Sequence, residues 1–256
     1  MHPTVAAALA ALWGVGAGWV STWIAHRYQE GTDADGYEVA VLGDATCPTC
    51  DHVVTLAEAA PLRSISCSSC GSRLPVSWNL VPLAVLGASL GMWATFRGGA
   101  VLWPFLWLVP VLVVAATIDI RTFLIPKRVV WVGFAVGAAL MAAVAVGMGH
   151  PETLRSAAIG AVGYFAVLFV ANLVNPAGMG FGDVRLSVVL GLYLGWIDLR
   201  LPLYGLLLAC VLGIGFGVAK RLRATTPEER AFPFGPGLAG GTLVAVWAYT
   251  VLVPPL

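Results

Sequence analysis

The stretch GGAVLWPFLWLVPVLVVAATI, residues 98–118, runs for 21 residues without a charge and stops at an aspartate, Asp119. Roughly 20 apolar residues cross the hydrocarbon of a bilayer as one helix, so the stretch reads as a transmembrane segment. Uncharged stretches long enough for the same reading occur at 1–26, 74–96, 129–151, 156–182, 201–219 and 231–256. An eighth, 186–197, reaches spanning length only if it begins near Met179 and takes in Asp183 and Arg185. The pattern predicts an all-α polytopic membrane protein with eight helices, at about 5–25, 79–96, 100–118, 129–148, 155–174, 182–198, 201–219 and 236–253. The first is expected to be retained rather than cleaved as a signal peptide, because its basic flank, His26 and Arg27, follows it.

Composition agrees. Of 256 residues, 59% are hydrophobic and 11% charged, and the mean hydropathy is +0.87. A soluble domain carries roughly 25% charged residues, so this chain has too few to cover a surface in water. Disordered, coiled-coil and nucleic-acid-binding classes need still more charge and are excluded.

Lys and Arg set the expected orientation. With eight helices, eleven of the 14 basic residues fall on one side and only Arg97, Arg155 and Arg200 on the other. The crowded side is expected to face the cytoplasm, with both termini outside.

One loop is long. Three segments are expected: residues 1–25 as the first helix, 26–78 as a cytoplasmic loop, and 79–256 as a seven-helix core. The first half of the loop holds seven acidic residues and no Lys or Arg from Tyr28 to Leu62, which reads as a solvated, partly flexible face. Four of the five cysteines lie in this loop, Cys47, Cys50, Cys67 and Cys70, spaced C-x2-C-x16-C-x2-C. Two tight turns each offering two thiolates complete a tetrahedron around Zn²⁺. In a reducing cytoplasm disulfides are disfavoured, and four thiolates leave no open position, so the expected zinc is structural. The knuckle is expected to shape the approach to the active site.

Two acids stand at helix ends where charge is costly. Asp119 closes the third helix and Asp183 opens the sixth, on the same predicted side. Intramembrane carboxylates are functional candidates. Two carboxyls sharing a site cannot both ionise cheaply, so one proton is held in common. Such a pair can draw a proton from water and protonate a carbonyl, as aspartic proteases do. Asp183 ends the run GMGFGD, residues 178–183, whose glycines permit close backbone approach. Asp198 lies beside Arg200 and reads as an interfacial ion pair. No HExxH or P-loop pattern is present.

Three stretches carry a resemblance: DIRTFLIP at 119–126, GMGFGDVRLSVVLGLYLGW at 178–196, and FPFGPGLAGG at 232–241. With the tetracysteine loop after the first helix, they resemble the bacterial type IV prepilin leader peptidases, GxGD-type intramembrane aspartic proteases. The resemblance implies that Asp119 and Asp183 are catalytic. It implies support from Gly180, Gly182, Pro126, Arg185, Pro233, Gly235 and Pro236. It also implies a prepilin or pseudopilin precursor as partner, cut between a basic leader and a hydrophobic helix, and N-methylation of the product with S-adenosylmethionine in many members.

The first helix departs from the family pattern. Gly14, Gly18 and Arg27 match it, but Trp19-Val20-Ser21-Thr22 replace its Ser-Phe-Leu-Asn run and its proline is missing. The departure leaves the peptidase pattern intact and predicts weak or absent methyl transfer. Two other classes compete: an ion- or proton-coupled transporter using the same aspartates, and a zinc-bearing scaffold without chemistry. A transporter would place acids nearer mid-bilayer on broken helices in repeated halves.

Overall fold

The computed structural model describes residues 3–32, 38–59, 66–75, 77–176, 179–223 and 233–252. Helix α1 spans Pro3–Arg27 and leads into a two-stranded antiparallel ribbon, β1 Tyr28–Thr32 and β2 Glu38–Leu42. Then follow α2 Ser77–Phe96, α3 Leu102–Thr122, α4 Lys127–Met148, α5 Glu152–Val174, α6 Phe181–Ile197, α7 Leu201–Arg223, α8 Gly235–Trp247 and a single turn, α9 Tyr249–Leu252. All eight expected helices are present.

Six of them, α1 to α5 and α7, are long and apolar enough to cross a membrane. The other two are short for a physical reason. Helix α6 is wrapped by its neighbours, with Leu186, Leu190, Tyr193 and Leu194 fully buried. Helix α8 buries Gly237, Leu238, Ala239 and Gly241 on one face. An enclosed helix need not match the bilayer thickness. Helix α8 also ends at Trp247, short of the expected 253, and the chain turns at Ala248 before α9.

Small residues bring the helices together, as packing in lipid requires. A Cβ at Gly160 of α5 would fall 2.6 Å from the Gly195 Cα of α6, so the two backbones touch there. Gly18 of α1 does the same against Pro82 of α2, at 2.8 Å. The main buried cluster centres on α3 and α6, where Phe105 meets Tyr193 edge-to-face at 5.2 Å, and two smaller ones lie under the knuckles and under the ribbon.

The described part of the long loop is more ordered than its charge suggests. Beyond the ribbon it forms two matching knuckles. Cys47 N–H donates to His52 C=O at 2.9 Å and Asp51 N–H to Cys47 C=O at 3.0 Å. Cys67 N–H donates to Ser72 C=O at 2.8 Å and Gly71 N–H to Cys67 C=O at 2.9 Å. Each knuckle closes on a left-handed residue, Asp51 (φ 54°) and Gly71 (φ 69°). Asp tolerates that conformation better than most side chains, which lets the first knuckle dispense with glycine. The segment that follows the first knuckle docks on the end of α1: the Trp19 indole donates to Leu56 C=O at 2.6 Å and the Trp23 indole to Val54 C=O at 3.2 Å.

Candidate active site

The sequence DIRTFLIP builds one wall of the site. Helix α3 runs four residues past its expected end, so Asp119 sits inside its last turn. Phe123 then takes a left-handed conformation (φ 54°) and donates its N–H to Asp119 C=O at 2.9 Å, closing the helix. Leu124 and Ile125 lead to Pro126, extended at φ −65° and ψ 127°, and α4 begins at Lys127. Proline suits that boundary because it has no N–H to leave unsatisfied.

The GxGD run builds the facing wall. Gly180 is extended, α6 begins at Phe181, and Asp183 stands in the first turn. A Cβ at Gly182 would lie 2.9 Å from the Ile125 Cβ, so the two motifs interlock and only glycine admits the contact.

Asp119 and Asp183 are both buried and line one cavity of about 670 Å³. Gly180, Gly182, Pro126 and Arg185 line the same cavity, with Lys127 and Arg128 beside them. The Arg185 guanidinium lies 4.7 Å over the Phe181 ring. The hydrogen bonding of the two carboxyls is unequal. Asp119 Oδ2 accepts the Gly235 backbone N–H at 2.8 Å. Asp183 Oδ1 is buried with no hydrogen-bond partner among the described residues. An unpartnered buried polar atom is costly and needs an explanation, which a bound water or peptide group would supply.

The third motif reaches the site through one atom group. Pro233 is buried, Gly235 starts α8, and Pro236 is half-buried in its first turn. Among the motif's described residues, Gly235 is the one that hydrogen-bonds an aspartate, Asp119. Gly178 and Phe232 of the quoted motifs, and Arg63 and Arg230 of the charge count, lie outside the described residues.

Sequence reasoning missed part of the cavity. Its remaining wall is the ribbon: Tyr28 of β1 and every residue of β2. The alternation Val39-Ala40-Val41 was the available signal, too short to stand against the acidic run around it. Among the described residues no cavity-lining residue comes from the cysteine knuckles, so the loop shapes the approach through its ribbon. A second cavity of about 670 Å³, almost wholly apolar, lies between α1, α3 and α4. Tyr28 and Arg128 line both cavities, so the two are neighbours. A Cβ at Gly16, on the wall of this groove, would meet nothing within 4 Å.

The four thiols form a separate group. Cys47, Cys50, Cys67 and Cys70 place their Sγ atoms within 4.8 Å of one another, with 3.8 Å between Cys47 and Cys70 and 3.7 Å between Cys50 and Cys67. Zn–S bonds of about 2.3 Å in a tetrahedron require S···S separations of about 3.8 Å, so the set fits a metal ion. The Ser72 hydroxyl lies 2.9 Å from Cys70 Sγ and 3.4 Å from Cys47 Sγ. It is the main cause that brings the Cys47 thiol down to about 6 and lowers that of Cys70. Those two shifts favour thiolate, the form that binds metal, whereas, against a backbone hydrogen bond at His52 that lowers it, the neighbouring Cys70 thiol pushes Cys50 up. Cys210 lies in α7, apart from the group. At the other end of the bundle Asp198 pairs with Arg200 at 3.0 Å.

Comparison with known proteins gives one family. The model of the Type IV leader peptidase family matches residues 106–218. Similar proteins include the prepilin leader peptidase/N-methyltransferase of Bacillus subtilis (strain 168), 27% identical over 78% of this chain and 80% of the relative. That of Aeromonas salmonicida (strain A449) is 30% identical over 80% of this chain and 72% of the relative, and that of Pseudomonas putida 32% identical over 78% and 71%. No solved structure matches the chain.

Proposed function

The chain belongs to the Type IV leader peptidase family, and from that premise we propose that it is an intramembrane aspartic endopeptidase that removes leader peptides from prepilin-like precursors. The observation that carries this reading is the single cavity lined by Asp119 and Asp183, two buried carboxyls from helices far apart in sequence. One carboxylate takes a proton from a water as that water attacks the scissile carbonyl; the other, protonated, donates to the carbonyl oxygen. Collapse of the tetrahedral species expels the new N-terminal amine with a proton, and the shared proton is restored. Both aspartates stand at helix ends rather than mid-bilayer on broken helices, which does not favour the transporter reading.

The apolar groove between α1, α3 and α4 suits the precursor's hydrophobic helix, because it is apolar and adjoins the aspartate cavity, with Tyr28 and Arg128 lining both. The uneven distribution of Lys and Arg supports a cytoplasmic cavity in a bacterial inner membrane, with both termini outside. The functional division then follows the chain: a first helix that holds the knuckles, a loop that carries zinc and ribbon, and a catalytic bundle. The test is incubation of the chain in proteoliposomes with a pilin-like precursor, reading the new N-terminus. Cleavage between leader and hydrophobic helix is the expected result; an intact precursor overturns the reading.

The four cysteines hold one structural Zn²⁺ in this reading, and their thiolates leave it no position for substrate. Metal analysis of purified protein should give about one zinc per chain, as the four-thiolate rule implies. A protein with disulfides in place of metal would contradict it.

Methyl transfer is expected to be weak or absent. The support is α1, where Trp19 stands in place of the family's serine and is committed to the knuckle through Leu56. With labelled S-adenosylmethionine in the cleavage assay, the mature product should carry far less than one methyl per chain; stoichiometric label would refute the prediction.

A further inference from the structure

Every residue of β2 lines the cavity of the two aspartates, whereas β1 contributes only Tyr28. Strand β2 is therefore the inner strand, and it pairs with β1 on one side only. Its register places Tyr28 opposite Leu42 and Thr32 opposite Glu38. Gly43 N–H donates to Arg27 C=O at 2.7 Å, one step beyond that register. Bonded and non-bonded pairs alternate along an antiparallel ladder. The bonded pairs are thus Gln29–Val41 and Gly31–Val39, and the N–H and C=O groups of Glu38, Ala40 and Leu42 point to the opposite edge. Among the described residues, no backbone hydrogen bond from another element reaches that edge.

A peptide cut between two carboxyls must expose its carbonyl. In a helix that carbonyl is engaged four residues on, so the reacting segment has to be extended. Extended backbone in a cavity at the membrane edge leaves N–H and C=O groups that cost free energy unless paired. The free edge of β2 offers such partners in the same cavity. The ribbon also has a polarity. Side chains of Tyr28, Glu30, Glu38 and Ala40 share one face, because non-bonded pairs lie directly opposite. Near α3, Tyr28 and Ala40 pack with Ala25, Val114 and Ile118. At the far end Glu30 and Glu38 are exposed.

We infer that the precursor segment crossing the aspartates binds as a third strand on the free edge of β2, its cationic residues beside Glu30 and Glu38. The inference rests on the peptidase reading and adds the means by which the substrate is held. Adding a strand to an open sheet edge is a known way of binding extended peptide: main-chain bonds supply affinity and side chains supply selection.

The test uses the full chain in proteoliposomes and synthetic precursors in which one leader-side amide at a time becomes an ester. Esters at alternate residues should lower kcat/KM about three- to tenfold, the scale of one backbone hydrogen bond, with little effect at the residues between. Ala40→Pro removes one outward N–H, a substitution an edge strand tolerates. It should cost a similar factor and be non-additive with the ester that faces it. Glu30→Gln with Glu38→Gln should raise KM for a cationic leader and leave a neutral one unchanged. Uniform or absent ester effects on the wild-type enzyme overturn the inference, whether or not Ala40→Pro folds. Failure of the peptidase reading itself would look different, because Asp119→Asn would then still cleave.

Discussion

Asp119→Asn and Asp183→Asn are each expected to lower the rate of precursor cleavage by about three orders of magnitude or more, the scale of loss when one member of a catalytic unit is removed. Asn keeps the size of the side chain and most of its hydrogen bonding. What it removes is the group that titrates. In the proposed reaction a proton leaves water for one carboxyl and reaches the carbonyl oxygen from the other, so a single amide stops both halves. The double variant should be hardly slower than either single one, because the pair acts together. The Gly235 N–H donates to Asp119 Oδ2 at 2.8 Å. It can donate equally to the amide oxygen of Asn, so packing of α3 on α8 should persist, and zinc content should be unchanged. Cleavage of a matched precursor in proteoliposomes measures the effect. Near wild-type maturation by Asp119→Asn would remove this pair from the chemistry.

The helices were legible because the code for a membrane span is coarse: about twenty residues without charge. Their ends were less so. Helix α3 continues to Thr122, and α7 continues through Lys220, Arg221 and Arg223. Polar residues can extend a helix into water once its apolar part is anchored, and the Thr122 hydroxyl donates back to Ile118 C=O at 3.0 Å. The placement of the two aspartates at helix ends facing one cavity was legible for the opposite reason, since a carboxyl at a helix end in lipid is costly and stands out. The ribbon was not legible. Two five-residue strands carry little periodic signal, and the acidic run around them resembles any solvated loop. Their pairing and their place on the cavity depend on α1 and α3 lying side by side, tied by the Arg121 guanidinium that donates to Ala25 C=O at 3.0 Å. The knuckles were legible from cysteine spacing, but their seat on Trp19 and Trp23 was not. That seat gives the altered run in α1 a structural use: the indole that departs from the family pattern is the one that holds the knuckle.

Gly235→Ala is the second large effect expected, and it separates glycine needed for contact from glycine tolerated in a helix. A Cβ at this position would fall 2.5 Å from Asp119 Oδ2, 3.1 Å from its Cγ and 3.3 Å from its Cβ. Real contacts do not close to that distance, so either α8 retreats or the carboxyl swings away. Both movements lengthen the 2.8 Å hydrogen bond from the Gly235 N–H. A hydrogen bond to a charged group contributes about 1.5–3 kcal/mol, so cleavage should fall by about ten- to a hundredfold. The loss should appear in kcat more than in KM, because in the proposed reaction Gly235 orients a reacting carboxyl, and it is not among the residues lining the cavity. Gly240→Ala in the same helix is the control. Its Cβ would meet only the Leu212 Cδ1, at 3.1 Å, the end of a side chain that can shift. Alanine in a helix interior is favoured over glycine by about 1 kcal/mol, so that variant should fold at least as well and cleave normally. If Gly235→Ala cleaves as fast as Gly240→Ala, the backbone contact does not position Asp119.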